Sequence, residues 1–394
     1  MESVQEINLV IWQNFIDHHL FYTWDAVQSS LKIPPIFIVG KDASDIRLSM
    51  GWSPQNLDKL QIYYVSSNEL KKKGKEILES YPDAIHVFCG FRGAPGYDYF
   101  SLILHSLRLG IKIAILNEAY SVSSLGYFKH EAKFISTFKV WARPLLYKII
   151  MFLIKSFTTS HDPCIFPLSP IAFEQFRKSG IAPQNLYSFG YFVSKQQISN
   201  DFHTPSPSGL NIIYLGALIP RKGVDILVEV VSRLFEKGFD VKLDLYGHGD
   251  IEKIENVTEA INYKGILPLN QVQTTIAKYN LLVLPSRHDG WGIVVNEALL
   301  QGVPVIVSDR VGAKCLLESS QAGLVFCNDD SNDLMGKIKL LIESPEELIR
   351  LQKNAAKMSE KIKPEIAAKY FLDVISFHFF HVGTRPDEIW NLKD

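Results

Sequence analysis

Residues 281–309 read LLVLPSRHDGWGIVVNEALLQGVPVIVSD. An apolar run, Leu281 to Leu284, stops at Pro285-Ser286. A polar loop closes on Gly290-Trp291-Gly292, an apolar stretch carrying Glu297 follows, and Gly302-Val303-Pro304 leads into a second apolar run. That pattern predicts strand, glycine loop, helix and strand, one βαβ unit. The glycines allow backbone N–H groups close to a ligand. The helix start behind them offers unpaired N–H groups and the positive end of a dipole, which suits a diphosphate. Asp289 and Glu297, with seven residues between them, bracket the loop and the first helical turns, where both can meet one ligand.

Working outward, short β-rich runs alternate with helical stretches along the whole chain. A first series of strands is expected at 7–12, 36–39, 61–65, 85–89 and 112–116, then 165–168 and 186–189. A second is expected at 211–215, 242–246, 261–266, 281–284, 305–308 and 323–326. Such alternation implies parallel sheets with crossover helices. Residues 194–209, SKQQISNDFHTPSPSG, are polar and rich in Ser and Pro, the composition of a linker. The fold class is therefore α/β, with two doubly wound, Rossmann-like domains facing a cleft. The boundaries are 1–193 for the first domain, 194–209 for the linker and 210–363 for the second domain. Residues 364–394 form a C-terminal helix.

A chain of 394 residues fits two domains, and 47% hydrophobic with 21% charged residues is ordinary for a core-forming protein. A net charge of −1 argues against a nucleic-acid partner. Residues 1–200 carry 20 Lys and Arg against 16 Asp and Glu, while 201–394 carry 21 against 26. The excess of positive charge in the first half points to an acidic partner there. Four scattered cysteines without a CxxC pair fit a reducing compartment. The start, MESVQEINLVIW, lacks a basic n-region, and the expected location is cytoplasmic, peripheral at the inner face of the cell membrane. No His, Cys and Asp cluster has metal-ligand spacing.

The segment Asp289, Gly290, Trp291, Gly292, Glu297, Ala298, Gly302, Pro304 and Val305 resembles the motif of the family 4 retaining glycosyltransferases, members of group 1, which have the GT-B fold. That family has an acidic pair, usually Glu and Glu, around Gly-aromatic-Gly, followed by Glu-Ala and Gly-x-Pro-Val. Asp289 replaces the first Glu. Residues 214–227, YLGALIPRKGVDIL, match the family's phosphate loop at Gly216, Lys222 and Gly223. Ala217 stands where the family often has Arg, and Arg221 is the neighbouring cation.

The resemblance implies that Glu297 accepts hydrogen bonds from the donor ribose and that Asp289 sits near the transferred sugar. It further implies that the backbone at Gly290, Trp291, Gly292 and Ile293, with Gly216 and Gly247, forms the rest of the donor site. It implies that 1–193 is an acceptor-binding domain and 210–363 a nucleotide-sugar-binding domain, with the C-terminal helix crossing back to the first domain. Lys222 and Arg221 would neutralise the departing diphosphate. The implied activity is metal-independent and retaining, with a nucleoside-diphosphate sugar as co-substrate and no cofactor. The acceptor would be a saccharide or lipid-linked molecule, in the synthesis of cell-surface polysaccharide, lipopolysaccharide or glycolipid. With no evident enzymic nucleophile, front-face and double-displacement routes both stay open.

The first half matches that family less closely. Glu118, at the end of a strand, is the candidate for assisting deprotonation of the acceptor hydroxyl, or a plain carboxylate near a helix start. His18 and His19 follow the first strand, and Arg92 closes another; each is an acceptor-binding candidate or a surface residue. Residues 129–157 alternate Lys and Arg with aromatic and aliphatic residues, as a helix lying in lipid headgroups does, or as a core helix with a basic edge does. Two other functions fit the motifs: a non-catalytic sugar-nucleotide-binding subunit, and a GT-B sugar-nucleotide epimerase.

Overall fold

The computed structural model describes residues 6–16, 18–40, 57–91, 98–122, 133–196, 209–249, 252, 254–255 and 257–390. Among them are two six-stranded parallel sheets. The chain divides into two compact units. One comprises Met1–Tyr120, Ala142–Val193 and Pro364–Ile389; the other comprises Ser121–Trp141, Ser194–Lys363 and Trp390–Asp394.

The first sheet holds β1 (Leu9–Gln13), β2 (Ile36–Gly40), β3 (Gln61–Val65), β4 (Ile85–Cys89), β5 (Ile113–Glu118) and β6 (Cys164–Leu168), in the order β3-β2-β1-β4-β5-β6. Strands β1, β2 and β6 are buried at every position, as expected for a sheet covered by helices on both faces. Edge strand β3 leaves Tyr63 and Tyr64 exposed.

The expected strand at 186–189 is instead two isolated bridges, Ile165↔Leu186 and Leu168↔Phe189. Pro167 inside β6 has no N–H to donate, so a regular ladder cannot continue onto a further strand. The Arg385 guanidinium takes up the carbonyls of Pro183, Gln184 and Leu186. The helix Pro364–Phe380 belongs to this unit. Its Phe371 ring lies 5.1 Å from Phe166 and 5.5 Å from Trp24, an aromatic cluster that buries most of the helix face.

The second sheet holds β7 (Leu210–Leu215), β8 (Val241–Tyr246), β9 (Ile261–Gly265), β10 (Leu281–Leu284), β11 (Val305–Ser308) and β12 (Gly323–Phe326), in the order β12-β11-β10-β7-β8-β9. Its core is aliphatic. The helix Val224–Glu236 turns Leu227, Val228, Val230 and Val231 onto the sheet with no exposure. The helix Ser331–Glu343 is fixed at its start by the Asp330 carboxylate, which accepts from the N–H groups of Asn332 and Asp333 at 3.0 Å. The order reverses direction at β1/β4 in one sheet and at β7/β10 in the other. In open parallel sheets ligands bind outside the carboxyl ends of the strands at such reversals.

Candidate functional sites in the two units

In the second unit, the loops leaving β7 and β10 meet at the reversal. The β7 loop ends in a short turn, Pro220–Lys222, stopped by Gly223 at φ 66°. A Cβ on Gly223 would lie 2.0 Å from the carbonyl oxygen of Pro285, so only glycine lets the two loops touch. From this turn Lys222 Nζ reaches Asp289 Oδ2 at 2.6 Å, with side chains only 17% and 13% exposed. Burial raises the Asp289 carboxyl, but the Lys222 ammonium and its hydrogen bond, with Arg221 and His288, outweigh that and hold it below its ordinary range. Arg221 donates to the His288 carbonyl at 3.1 Å.

The glycine loop is built from backbone contacts. Asp289 bonds through its own N–H to the Arg310 carbonyl and through its carbonyl to Gly312 N–H, and the Trp291 carbonyl takes Ala313 N–H. Gly292 has φ 94°, and a Cβ there would press on Leu284 at 2.8 Å and Val311 at 3.0 Å. The Trp291 ring is buried and donates to Asn296 Oδ1 at 2.7 Å; its side chain is core, leaving its backbone to line the loop. Ile293 is the residue before the helix Val294–Leu300, and Glu297 lies in that helix's first turn at 4% exposure.

Gly216 and Gly247 approach each other so closely that a Cβ on Gly247 would be 1.9 Å from the Gly216 carbonyl oxygen. Their N–H groups go to Tyr246 and Gly265. These two residues therefore supply close packing at the mouth of the sheet, not free donors.

Arg287 escaped the sequence reading. It donates to Asp225 through two nitrogens at 2.7 and 2.8 Å, to Asp329 at 2.6 Å and to the Pro220 carbonyl. Its own N–H bonds the Arg221 carbonyl. One guanidinium thus ties the Lys222 turn to the Asp289 loop. Its place inside the motif was the available signal; its partners are remote in sequence.

These loops sit on residues 209–344, which match the family model described as Glycosyl transferases group 1. Through this segment the chain is similar to the group 1 glycosyltransferases. The chain is 26% identical over 215 residues to alpha-D-kanosaminyltransferase of Streptomyces kanamyceticus, covering 50% of this chain and 54% of that protein. It is 22% identical over 303 residues to sulfoquinovosyl transferase SQD2 of Arabidopsis thaliana, covering 73% and 55% respectively. The chain thus spans about half the length of these curated relatives. Its fold is GT-B, like Anabaena HepE solved with UDP and glucose, at TM-score 0.65 and 12% identity over 94% of this chain and 99% of that one. WaaG, a glycosyltransferase involved in lipopolysaccharide biosynthesis, matches at TM-score 0.65 and 14% identity, covering 94% of this chain and 99% of that one.

In the first unit, a cavity of about 300 Å³ opens at the carboxyl ends of β1, β4, β5 and β6. Gln13, Asn14, Cys89, Asn117, Glu118 and Tyr191 contribute polar groups to its lining. Glu118 Oε1 accepts from Tyr191 Oη at 2.7 Å, and the His19 ring lies 5.4 Å from Tyr191. Gln13 Nε2 and Asn14 Oδ1 are buried with no protein partner, a donor and an acceptor that a ligand can satisfy. Gln13, Asn14 and Tyr191 gave no sequence signal, because only the folded sheet brings them beside Glu118. Arg92 and the His18 side chain lie outside the described residues, as do 129–132 of the expected basic helix and 197–208 of the expected linker. Among the described residues no group of three or more His, Cys, Asp or Glu is arranged to hold a metal ion.

Proposed function

We propose that this protein is a retaining glycosyltransferase that moves a sugar from a nucleoside-diphosphate sugar to a saccharide or lipid-linked acceptor, in the synthesis of a surface polysaccharide or glycolipid. The observation that carries this reading is the buried Lys222–Asp289 pair at the strand reversal of the second sheet, with Glu297 in the first turn of the helix that follows the same loop. Solved HepE complexes contain UDP and UDP-glucose, which supports a nucleotide-sugar donor here.

In this mechanism Glu297 accepts hydrogen bonds from the ribose hydroxyls. The bond between the anomeric carbon and the diphosphate oxygen breaks, and the nucleoside diphosphate leaves with the electron pair. Lys222 and Arg221 neutralise the charge that develops on it. The backbone of Gly290, Trp291, Gly292 and Ile293 lines the donor. Asp289, held ionised, stabilises positive charge building at the anomeric centre. The acceptor oxygen bonds that carbon while its proton passes to a base, for which Glu118 in the first-unit cavity is the candidate. We assign this chemistry to the protein alone, without a metal, in a cytoplasmic setting.

The test is nucleoside diphosphate release from UDP-, GDP- and ADP-sugars, with Glu297→Ala as control. Release from one donor, lost in the variant, supports the reading. Donor binding without turnover, even with membrane extract as acceptor source, would favour a binding subunit. Release of free sugar inverted at C2 would favour epimerase chemistry.

A further inference from the structure

The helix Lys133–Phe157 contains no acidic residue and leaves six large apolar side chains in solvent. They are Ile135 (48% exposed), Phe138 (56%), Trp141 (72%), Leu145 (58%), Ile149 (48%) and Phe152 (68%). At 3.6 residues per turn these six fall within an arc of about 120°. The buried side chains of the same helix, Ser136, Ile150, Met151 and Ile154, fall on the opposite arc and hold the helix to the protein. The stripe is therefore a second apolar face of an element whose core face is already satisfied.

Charge frames it. On the same wheel Lys148 and Lys155 border one edge, and Lys139 lies beyond the other. Long basic side chains beside an apolar stripe reach outward to phosphates while the apolar groups sink. A second protein copy with the same surface would bring these cations against its own, which disfavours a self-complementary contact. No helix among the described residues is long and apolar enough to cross a membrane, so lipid contact through this element is superficial.

We infer that the face Ile135–Phe152 of this helix docks the protein on an anionic bilayer, with Trp141 and Phe152 inserted below the phosphates and the flanking cations paired with them. The inference does not depend on donor chemistry, since it is tested without donor or acceptor.

The experiment is co-sedimentation of the full chain with vesicles of phosphatidylcholine alone and of phosphatidylcholine mixed with phosphatidylglycerol, at low and high salt. The expected result is binding to the mixed vesicles, weakened by salt. Substituting Phe138→Ser, Trp141→Ser and Phe152→Ser together should lower the partition coefficient by about tenfold or more, with the thermal midpoint unchanged because all three are exposed. Lys148→Glu with Lys155→Glu should remove the preference for phosphatidylglycerol. Equal binding by the triple variant, or equal binding to both vesicle types at all salt concentrations, would overturn the inference. So would a wild-type protein that stays in the supernatant while forming a dimer that the triple variant cannot form; the stripe would then be a protein interface.

Discussion

Replacing Lys222 with Ala should destabilise the protein at neutral pH, and the deficit should shrink as the pH falls. The pair is short, at 2.6 Å, and both side chains are largely buried. Two unit charges 4 Å apart attract by about 4 kcal/mol at an effective dielectric of 20, and removing one partner of a fully buried pair costs about 3–5 kcal/mol. Allowing for the residual exposure of 17% and 13%, a loss of about 2–4 kcal/mol is expected.

The sign with pH follows from the carboxyl. Burial alone raises Asp289, and Lys222 is the first of the charges that bring it below its ordinary value. A carboxyl lowered in the fold contributes stability above its unfolded pKa, about 3.9, and that stability is lost as pH falls through the folded value. Without Lys222 much of the lowering goes, and the carboxyl can protonate at higher pH. The difference between variant and wild type should therefore be full near neutrality and narrow through the acid range. Urea unfolding of both proteins, repeated from neutral to acid pH, measures it. A difference of the same size at every pH would refute the pairing argument. In the donor assay the same variant should release nucleoside diphosphate about 100- to 1000-fold more slowly.

Gly223→Ala should cost about 3 kcal/mol, combining left-handed backbone strain with the clash on the Pro285 carbonyl; the urea midpoint reports it. Arg287→Ala should cost about 2 kcal/mol, discounted because Asp225 and Asp329 are half exposed, and Arg287→Lys should recover less than half because it lacks the two-pronged fork. His86 is buried, accepts from Trp12 Nε1 and is lowered to about 4, chiefly by burial. The unfolded chain takes up its proton first, so about 3 kcal/mol of stability should be lost as pH falls from about 6.5 to 4. An NMR titration showing this imidazole protonating above about pH 6 would contradict it.

Much of the second unit's architecture was legible in the sequence because it is local. Strands β10, β11 and β12 run over 281–284, 305–308 and 323–326 as expected, since short β-branched runs between Gly and Pro punctuation specify strands wherever they lie. The resemblance of two motifs implied that Lys222 and Asp289 serve one donor, without pairing them. Their 2.6 Å bond needed two loops 67 residues apart to leave neighbouring strands at the reversal. Arg287 shows the limit: its charge was visible, but Asp225 and Asp329 became its partners only when three loops converged.

The first-unit cavity was almost illegible for the same reason. Glu118 was readable as a strand-end carboxylate, but Tyr191 bonds it from 73 residues away and Gln13 lines the same cavity from 105 residues away, counted from their positions in the chain. Likewise, basic and apolar spacing in 129–157 left a membrane helix and a core helix both open. The fold buries one arc of this helix and leaves the opposite, apolar arc in solvent. By itself the sequence determined the periodicities, the strand and helix order and the motif chemistry, because those depend on neighbours along the chain. Which charges meet, which amides are used by the sheet and which apolar face stays in solvent were decided by tertiary structure, because each depends on distances between segments that no local pattern encodes.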